Sequence, residues 1–460
     1  MKNFSYKALD TTLKTLGIEN IFFCAGARNA RLVELLSSYK LEFFIDERSA
    51  SFRALGMAKA IKKPVAVCTT SGTAVSECFS AVIEAYYSDV PLIIISADRP
   101  TRLHGTHAPQ CIEQKYIFGN YCKKTLYDGD EFELQDIKYP LHINVEIDEL
   151  SDDYHSEVSI IKFSDFESEL KNSEYPVAIF TEGDDDYQEE FNLLNSNGFP
   201  IYVECTSHFS SETIQNQIFY EKDLTKALGD KKLDLVIKFG KTPFVKLWRL
   251  LDSPHRKVKV FSYKNDKTAL PYGRILVDNL SSIPKKNYQI NKNTEDFQLY
   301  LRKYPLSEIS ILKNIVSELK DSDQIYIGNS MPIRYLQMLN IKDVKVHASR
   351  GANGIDGQLS TAIGLAMGSS KTIHCIVGDL TFLYDLNSIV GDIPKNLKIH
   401  IINNQGGRIF ERVKVSKKML LEHEISVKNL TEGFENKDQL FEYFPCNIQT
   451  KEFWKDWEKK

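Results

Sequence analysis

The sequence predicts an α/β protein built as three consecutive domains, each a doubly wound parallel sheet. Three observations carry that expectation. The chain has 460 residues, which at roughly 150 residues per domain amounts to about three domains. Short apolar runs of strand length alternate with amphipathic helical stretches, the rhythm of βαβ units. Polar, Gly-bearing turns follow the apolar runs, and in such sheets ligands bind beyond the carboxyl ends of the strands.

In chain order, the first third offers strands at Asn20 to Cys24, Leu41 to Ile45, Val65 to Thr69 and Leu92 to Ala97, with a last one at Pro140 to Val145. The chain then turns acidic and polar through Ser151, Asp152 and Asp153, which sets the first domain at 1–150. Strands at Val177 to Phe180, Pro200 to Val203, Leu235 to Phe239 and Val258 to Phe261 recur at longer intervals and define a middle domain, 151–290. Ser281 to Thr294, with Pro284, Lys285 and Lys286, reads as a linker. The last domain, 291–460, resumes the βα rhythm with Gln324 to Ile327, Thr372 to Val377 and Lys398 to Ile402. Its final stretch reads as helical and charged, with Trp454 and Trp457 three residues apart as a packing element. No short-period repeat is present, which excludes a solenoid.

Composition narrows the function classes. With 42% hydrophobic and 26% charged residues, 23 Gly and 15 Pro, the chain is neither disordered nor fibrous. Its 58 basic and 62 acidic residues leave a net charge of −4, with no global attraction to nucleic acid or anionic membrane. No apolar run approaches the roughly 18 residues of a membrane span. The opening MKNFSYKALD lacks the apolar core of a signal peptide. The eight cysteines form no C-x-x-C pair, so neither a zinc site nor a disulfide framework is expected, and the reading is a cytosolic, reducing location. His104 and His107 lack a third ligand and a helical context. The elements of nicotinamide, P-loop and serine-hydrolase sites (G-x-G-x-x-G, Walker A, G-x-S-x-G) are missing.

Three constellations carry chemistry. In the last domain, IHCIVGDLTFLYDLNSI and LKIHIINNQGGRIF each end an apolar strand in oxygen-bearing residues, Gly378-Asp379 and Asn403-Asn404 followed by Gly406-Gly407. Singly, such residues are turn chemistry. Together, with Asp379 and Asn404 25 residues apart, they offer Mg²⁺ hard oxygen ligands, a nearby backbone carbonyl completing the set. A helix starting around Gly378-Asp379-Leu380-Thr381 adds N–H donors for a diphosphate. The second constellation is Phe43-Phe44-Ile45-Asp46-Glu47-Arg48, a strand delivering a carboxylate to the start of the helical stretch Ser51 to Ala60. At a helix N-terminus Glu47 is a dipole partner; in an apolar slot it has a raised pKa and can share a proton with a ring nitrogen. The third is a set of cations, Arg28, Arg99, Lys246, Arg334 and Arg350, each near a Gly or Pro turn after an apolar strand. Apart they are solvated charge; around one cleft they select di- or tricarboxylates.

These segments resemble the thiamine-diphosphate-dependent enzyme family, whose architecture is a pyrimidine-binding, a central and a diphosphate-binding domain. The resemblance is nearest to the branch that works in menaquinone biosynthesis. FIDERSASFRALGMAKA, VAVCTTSGTAVSECFSAVIEA, LIIISADRP and PLHINV look like its first domain, and GNSMPIR, SRGANGIDGQLSTAIGLA, VGDLTFLYDLNSI and NNQGGRIF like its last. The similarity is strong over 20–145 and 325–410, weak around Gly240 to Trp248, and absent after about Val413.

Carried over by position, the resemblance implies that Glu47 is catalytic, protonating the aminopyrimidine ring of thiamine diphosphate. Asp379, Asn404 and the Gly406 carbonyl would hold Mg²⁺ or Mn²⁺ on the diphosphate, alongside Gly378, Leu380 and Thr381. Ile355 would be the apolar wedge that bends the cofactor, and Phe410 would line the same pocket. Arg28, Arg99, Gln110, Lys246, Ser330, Arg334 and Arg350 match positions used for substrate carboxylates and hydroxyls. The implied reaction decarboxylates 2-oxoglutarate and adds the carbanion equivalent to isochorismate, the work of a transferase or carboligase. Because the family's site forms between subunits, Glu47 of one chain is expected to meet the Asp379 site of another, in a homodimer or homotetramer.

The chain departs from the family pattern in places. A small polar residue before Arg28 is here Ala27, and the Asn usual before Gln110 is Pro109, which has neither N–H nor amide side chain. The central domain and the segment after Phe410 are shorter than usual. Two other readings therefore stay open: a diverged carboligase using another 2-oxo acid or acceptor, in a sugar or secondary-metabolite pathway, and a non-catalytic paralogue.

Overall fold

The structure is a computed structural model. It describes residues 6–122, 125–126, 139–147, 159–160, 163–229, 233–243, 247–251, 258–264, 275–277, 279–284, 288, 297–391, 393–412 and 416–458. Within these, three parallel sheets follow one another along the chain. The first holds β1 (Asn20–Cys24), β2 (Lys40–Phe44), β3 (Val65–Thr69), β4 (Leu92–Asp98), β5 (Thr125–Leu126) and β6 (Leu141–Glu146), in the order β2-β1-β3-β4-β6-β5. The second holds β7 (Ser159–Ile160), β8 (Pro176–Phe180), β9 (Ile201–Val203), β10 (Gln217–Ile218), β11 (Leu235–Phe239), β12 (Lys259–Tyr263) and β13 (Ile275–Val277), ordered β10-β9-β8-β11-β12-β13-β7. The third holds β14 (Gln324–Ile327), β15 (Lys345–His347), β16 (Ile373–Gly378), β17 (Leu397–Ile402) and β18 (Leu440–Tyr443), ordered β15-β14-β16-β17-β18.

The apolar runs are unbroken because each sheet is covered on both faces, and side chains alternate between two cores. In β1 and β3, Ile21, Phe23, Ala66 and Cys68 enter one cluster while Phe22, Cys24, Val65 and Val67 enter the other. The middle sheet divides Ala178 and Phe180 from Val177 and Ile179 in the same way. In the last sheet Ile325 and Ile327 pack opposite Tyr326. Burying each such aliphatic side chain contributes about 1.5–3 kcal/mol, so the central strands are where the driving force concentrates. No helix of the described residues is long and apolar enough to cross a membrane.

Two expectations are corrected. The stretch anticipated as a linker begins inside the middle domain: Ile283 and Tyr288 are buried in its core, and the Tyr288 hydroxyl donates to the Pro284 carbonyl at 2.8 Å. Its remaining residues up to Thr294 lie outside those described. The tail is not uniformly helical. It contains β18, a single helical turn at Val427–Leu430 and a helix only at Asn447–Glu458. Glu442 on β18 organises the segment before it, accepting hydrogen bonds from the Val427 N–H at 2.8 Å and Asn403 Nδ2 at 2.7 Å.

Candidate active site

The site is assembled from strand ends. After β2, Asp46 caps the helix Glu47–Ile61, its side chain accepting from the Ser49 N–H at 2.9 Å. The cap sets Glu47 as the first helical residue, only 7% exposed. Burial pushes its carboxyl up to about 8, against hydrogen bonds that favour the charged form. One of these comes from the Tyr384 hydroxyl, 3.0 Å from Glu47 Oε2, on the short helix Asp379–Tyr384 of the last domain.

At the end of β16, Asp379 is buried, and each of its oxygens accepts one backbone hydrogen bond. Oδ1 takes the Leu380 N–H at 2.9 Å and Oδ2 the Gly406 N–H at 2.7 Å. His423 Nε2 lies 3.0 Å from the same Oδ2. The Ile425 N–H donates to His423 Nδ1 at 3.2 Å, while His423 Nε2 is buried without a hydrogen-bond partner. Gly406 is required by its backbone: its φ is +134°, and a Cβ there would lie 2.5 Å from the Leu420 carbonyl oxygen.

After β17 comes Asn404, 8% exposed. Its Nδ2 donates to Glu308 Oε1 at 3.0 Å, while its Oδ1 is buried without a hydrogen-bond partner. Glu308 is itself buried, which pushes its carboxyl up to about 7. An orphaned amide oxygen beside a buried carboxylate suits a hard cation. Among the described residues no three His, Cys, Asp or Glu side chains are grouped to hold a metal, so a cation here would depend on amide and carbonyl oxygens as well as Asp379.

Glu47, Asp379, Asn404 and Gly406 border one cavity of about 1630 Å³, together with Ile355 and Phe410. Gly378, Leu380 and Thr381 line it too. Glu47 and Asp379 thus border the same cavity, and the Tyr384 hydroxyl reaches Glu47 between the first and last domains.

Of the residues anticipated for substrate, Arg99, Gln110, Ser330, Arg334 and Arg350 border the same cavity. Arg99 Nε donates to the Pro109 carbonyl at 3.0 Å, and its guanidinium stands over the Trp248 ring at 5.4 Å. Gln110 and Ser330 take left-handed backbone conformations, with φ of 54° and 71°. Arg334 Nη1 donates to the Ser330 carbonyl at 2.6 Å, and Arg350 Nη1 to Asn329 Oδ1 at 2.9 Å. Burial lowers the Arg350 pKa, and the charges of Glu204 and Glu182 oppose that shift. Arg28 is not brought to the cavity: it is buried, with Nη1 donating to the Ile147 carbonyl at 3.1 Å, and its neighbour Ala27 lines the cavity instead. Lys246 lies outside the described residues.

Tyr384, His423 and Glu308 were not anticipated. Tyr384 stands inside the VGDLTFLYDLNSI segment, where its nearness to Asp379 was a usable signal. Nothing local marks the other two.

Residues 6–117 match the thiamine pyrophosphate enzyme N-terminal TPP-binding domain. The 2-succinyl-5-enolpyruvyl-6-hydroxy-3-cyclohexene-1-carboxylate synthase of Bdellovibrio bacteriovorus is 31% identical over 96% of this chain and 96% of its own length. The synthases of the same name from Flavobacterium johnsoniae and Bacillus velezensis are 31% and 30% identical, each over 86% of this chain and 82% and 81% of their own. Among solved structures, benzoylformate decarboxylase from Polynucleobacter necessarius aligns over 99% of this chain and 96% of its own, with 12% identity and a TM-score of 0.44.

Proposed function

The chain belongs to the thiamine-diphosphate-dependent enzyme family, among the relatives of 2-succinyl-5-enolpyruvyl-6-hydroxy-3-cyclohexene-1-carboxylate synthase, and from that premise we propose that it decarboxylates 2-oxoglutarate and joins the resulting carbanion equivalent to isochorismate. The observation that carries this reading is the sharing of one cavity by Glu47, the Asp379–Asn404–Gly406 group and three arginines.

Thiamine diphosphate, when bound, supplies the carbon nucleophile and the electron sink for loss of CO₂. Asp379, Asn404 and the Gly406 carbonyl would hold its diphosphate through Mg²⁺ or Mn²⁺, with Ile355 and Phe410 against its apolar parts. Glu47 carries a proton at neutral pH because burial raises its carboxyl to about 8. It can therefore lend that proton to a ring nitrogen and take it back. The Tyr384 hydroxyl donates to Oε2 and steadies the carboxyl. Arg99, Arg334 and Arg350 neutralise substrate carboxylates; a hydrogen bond to a charged group contributes about 1.5–3 kcal/mol. Glu47, Asp379 and Asn404 are themselves buried, which strengthens the interactions they make. The assembly proposed is a homodimer or homotetramer, to be read from light scattering.

The test is an assay of purified protein with thiamine diphosphate, Mg²⁺, 2-oxoglutarate and isochorismate, following isochorismate loss and CO₂ release together. Coupled loss of both is expected. Release of CO₂ without loss of isochorismate would move the acceptor to another molecule, and silence in both would overturn the donor assignment.

A further inference from the structure

Only one end of an asparagine side chain can ligate a cation. The oxygen and the NH₂ of the amide are nearly the same size, so its orientation is set by hydrogen bonding alone. At Asn404 the NH₂ end is engaged by Glu308 Oε1 at 3.0 Å, and the oxygen end is buried and unpartnered at the cavity wall. A flipped amide would set two acceptor oxygens against each other at that distance and turn N–H groups toward the cation site.

Glu308 is held in turn. Its backbone N–H donates to Thr450 Oγ1 at 3.1 Å, which roots the first turn of the helix Glu308–Ser317 on the C-terminal helix. Glu308, rooted on the C-terminal helix through Thr450, thus engages the NH₂ of Asn404. From these contacts we propose that Glu308 is a positioning residue for Asn404, fixing which end of its amide faces the metal. The inference rests on the metal-holding role given to Asn404 above.

Partners of this kind, hydrogen-bonded to a metal ligand, are worth about 10- to 100-fold in metal affinity. The test measures Mn²⁺ binding by electron paramagnetic resonance, in the presence of thiamine diphosphate, for wild type, Glu308→Gln and Glu308→Met. Gln keeps an acceptor for the Asn404 NH₂ and is expected to bind within a few-fold of wild type; Met keeps the length without the acceptor and is expected to lose about 10- to 100-fold. Thermal melts establish that each variant folds, and Glu308→Ala, which also removes the acceptor, replaces Glu308→Met if that variant does not. The same pair is then made in an Asn404→Ala background, where Glu308→Met is expected to cost nothing further. An equal loss in both backgrounds, or wild-type affinity for Glu308→Met, overturns the inference. If wild type itself holds no Mn²⁺, the metal reading fails first.

Discussion

Glu47 shows how burial turns an ordinary carboxyl into a proton carrier. In the unfolded chain it releases its proton near 4.5; in the folded protein it keeps it up to about 8. Between those values the folded state binds more protons, so stability falls as pH rises through the window, by on the order of 1.4 kcal/mol for each pH step of one crossed inside it. Glu308, raised to about 7 by burial, acts with the same sign. Melting of cofactor-free protein at pH 5 and pH 8 should therefore show wild type losing more stability than Glu47→Gln, whose amide does not titrate. The variant should keep the part of the slope that belongs to Glu308, and a slope equal to that of wild type would contradict the burial argument. Glu47, Asp379 and Asn404 were legible because each follows an apolar strand directly. Their partners were not, since Tyr384 reaches Glu47 across 337 residues and Glu308 reaches Asn404 across 96. Arg28 misled for the converse reason: a strand-end arginine has the same local pattern whether it meets a ligand or, as here, the Ile147 carbonyl.

Among the elements, legibility followed burial on both faces. Central strands such as β3, β4 and β11 are fully buried and mostly apolar, Lys238 of β11 being an exception, and were read to within a residue or so. The edge strands β15 and β18, Lys-Val-His and Leu-Phe-Glu-Tyr, have too few apolar positions to separate a strand from a helical turn. The tail helix Asn447–Glu458 carries its signal in Phe453, Trp454 and Trp457. Phe453 and Trp457 are buried in the core of the last domain, and Trp454 faces the Arg412 guanidinium at 3.7 Å. Truncating a fully buried aromatic costs about 3–5 kcal/mol through lost burial and the cavity left behind. Phe453→Ala should lower stability by that amount in denaturant unfolding, and it should also weaken thiamine-diphosphate binding, because the same helix supports Glu308 through Thr450. A loss below about 1 kcal/mol would mean that the helix does not pack as described.

Across the whole molecule, the domains are stitched together at the cavity. Thr73 donates to Asp356 Oδ1 at 2.7 Å between first and last domains, and the Cys205 N–H donates to Gln337 Oε1 at 2.7 Å between middle and last. The most consequential stitch is Met419. It belongs to the last domain by sequence, yet it is fully buried in the core of the first, beside Leu9, Leu13 and their neighbours. A flexible thioether side chain suits such a gap. The next residue, Leu420, offers its carbonyl to the Gly407 N–H at 2.6 Å, and that carbonyl is the atom a Cβ on Gly406 would strike. The loop proposed to hold the metal is therefore braced on a segment whose anchor lies in another domain. Met419→Ala should cost about 2–5 kcal/mol in stability and, though it touches neither cofactor nor metal, should loosen Mn²⁺ binding. Gly406→Ala should abolish that binding with a smaller change in melting, because it disturbs the loop directly and leaves the Met419 anchor in place. If Met419→Ala melts early but binds Mn²⁺ as wild type does, the anchor serves the first domain alone and the metal loop keeps its shape without it.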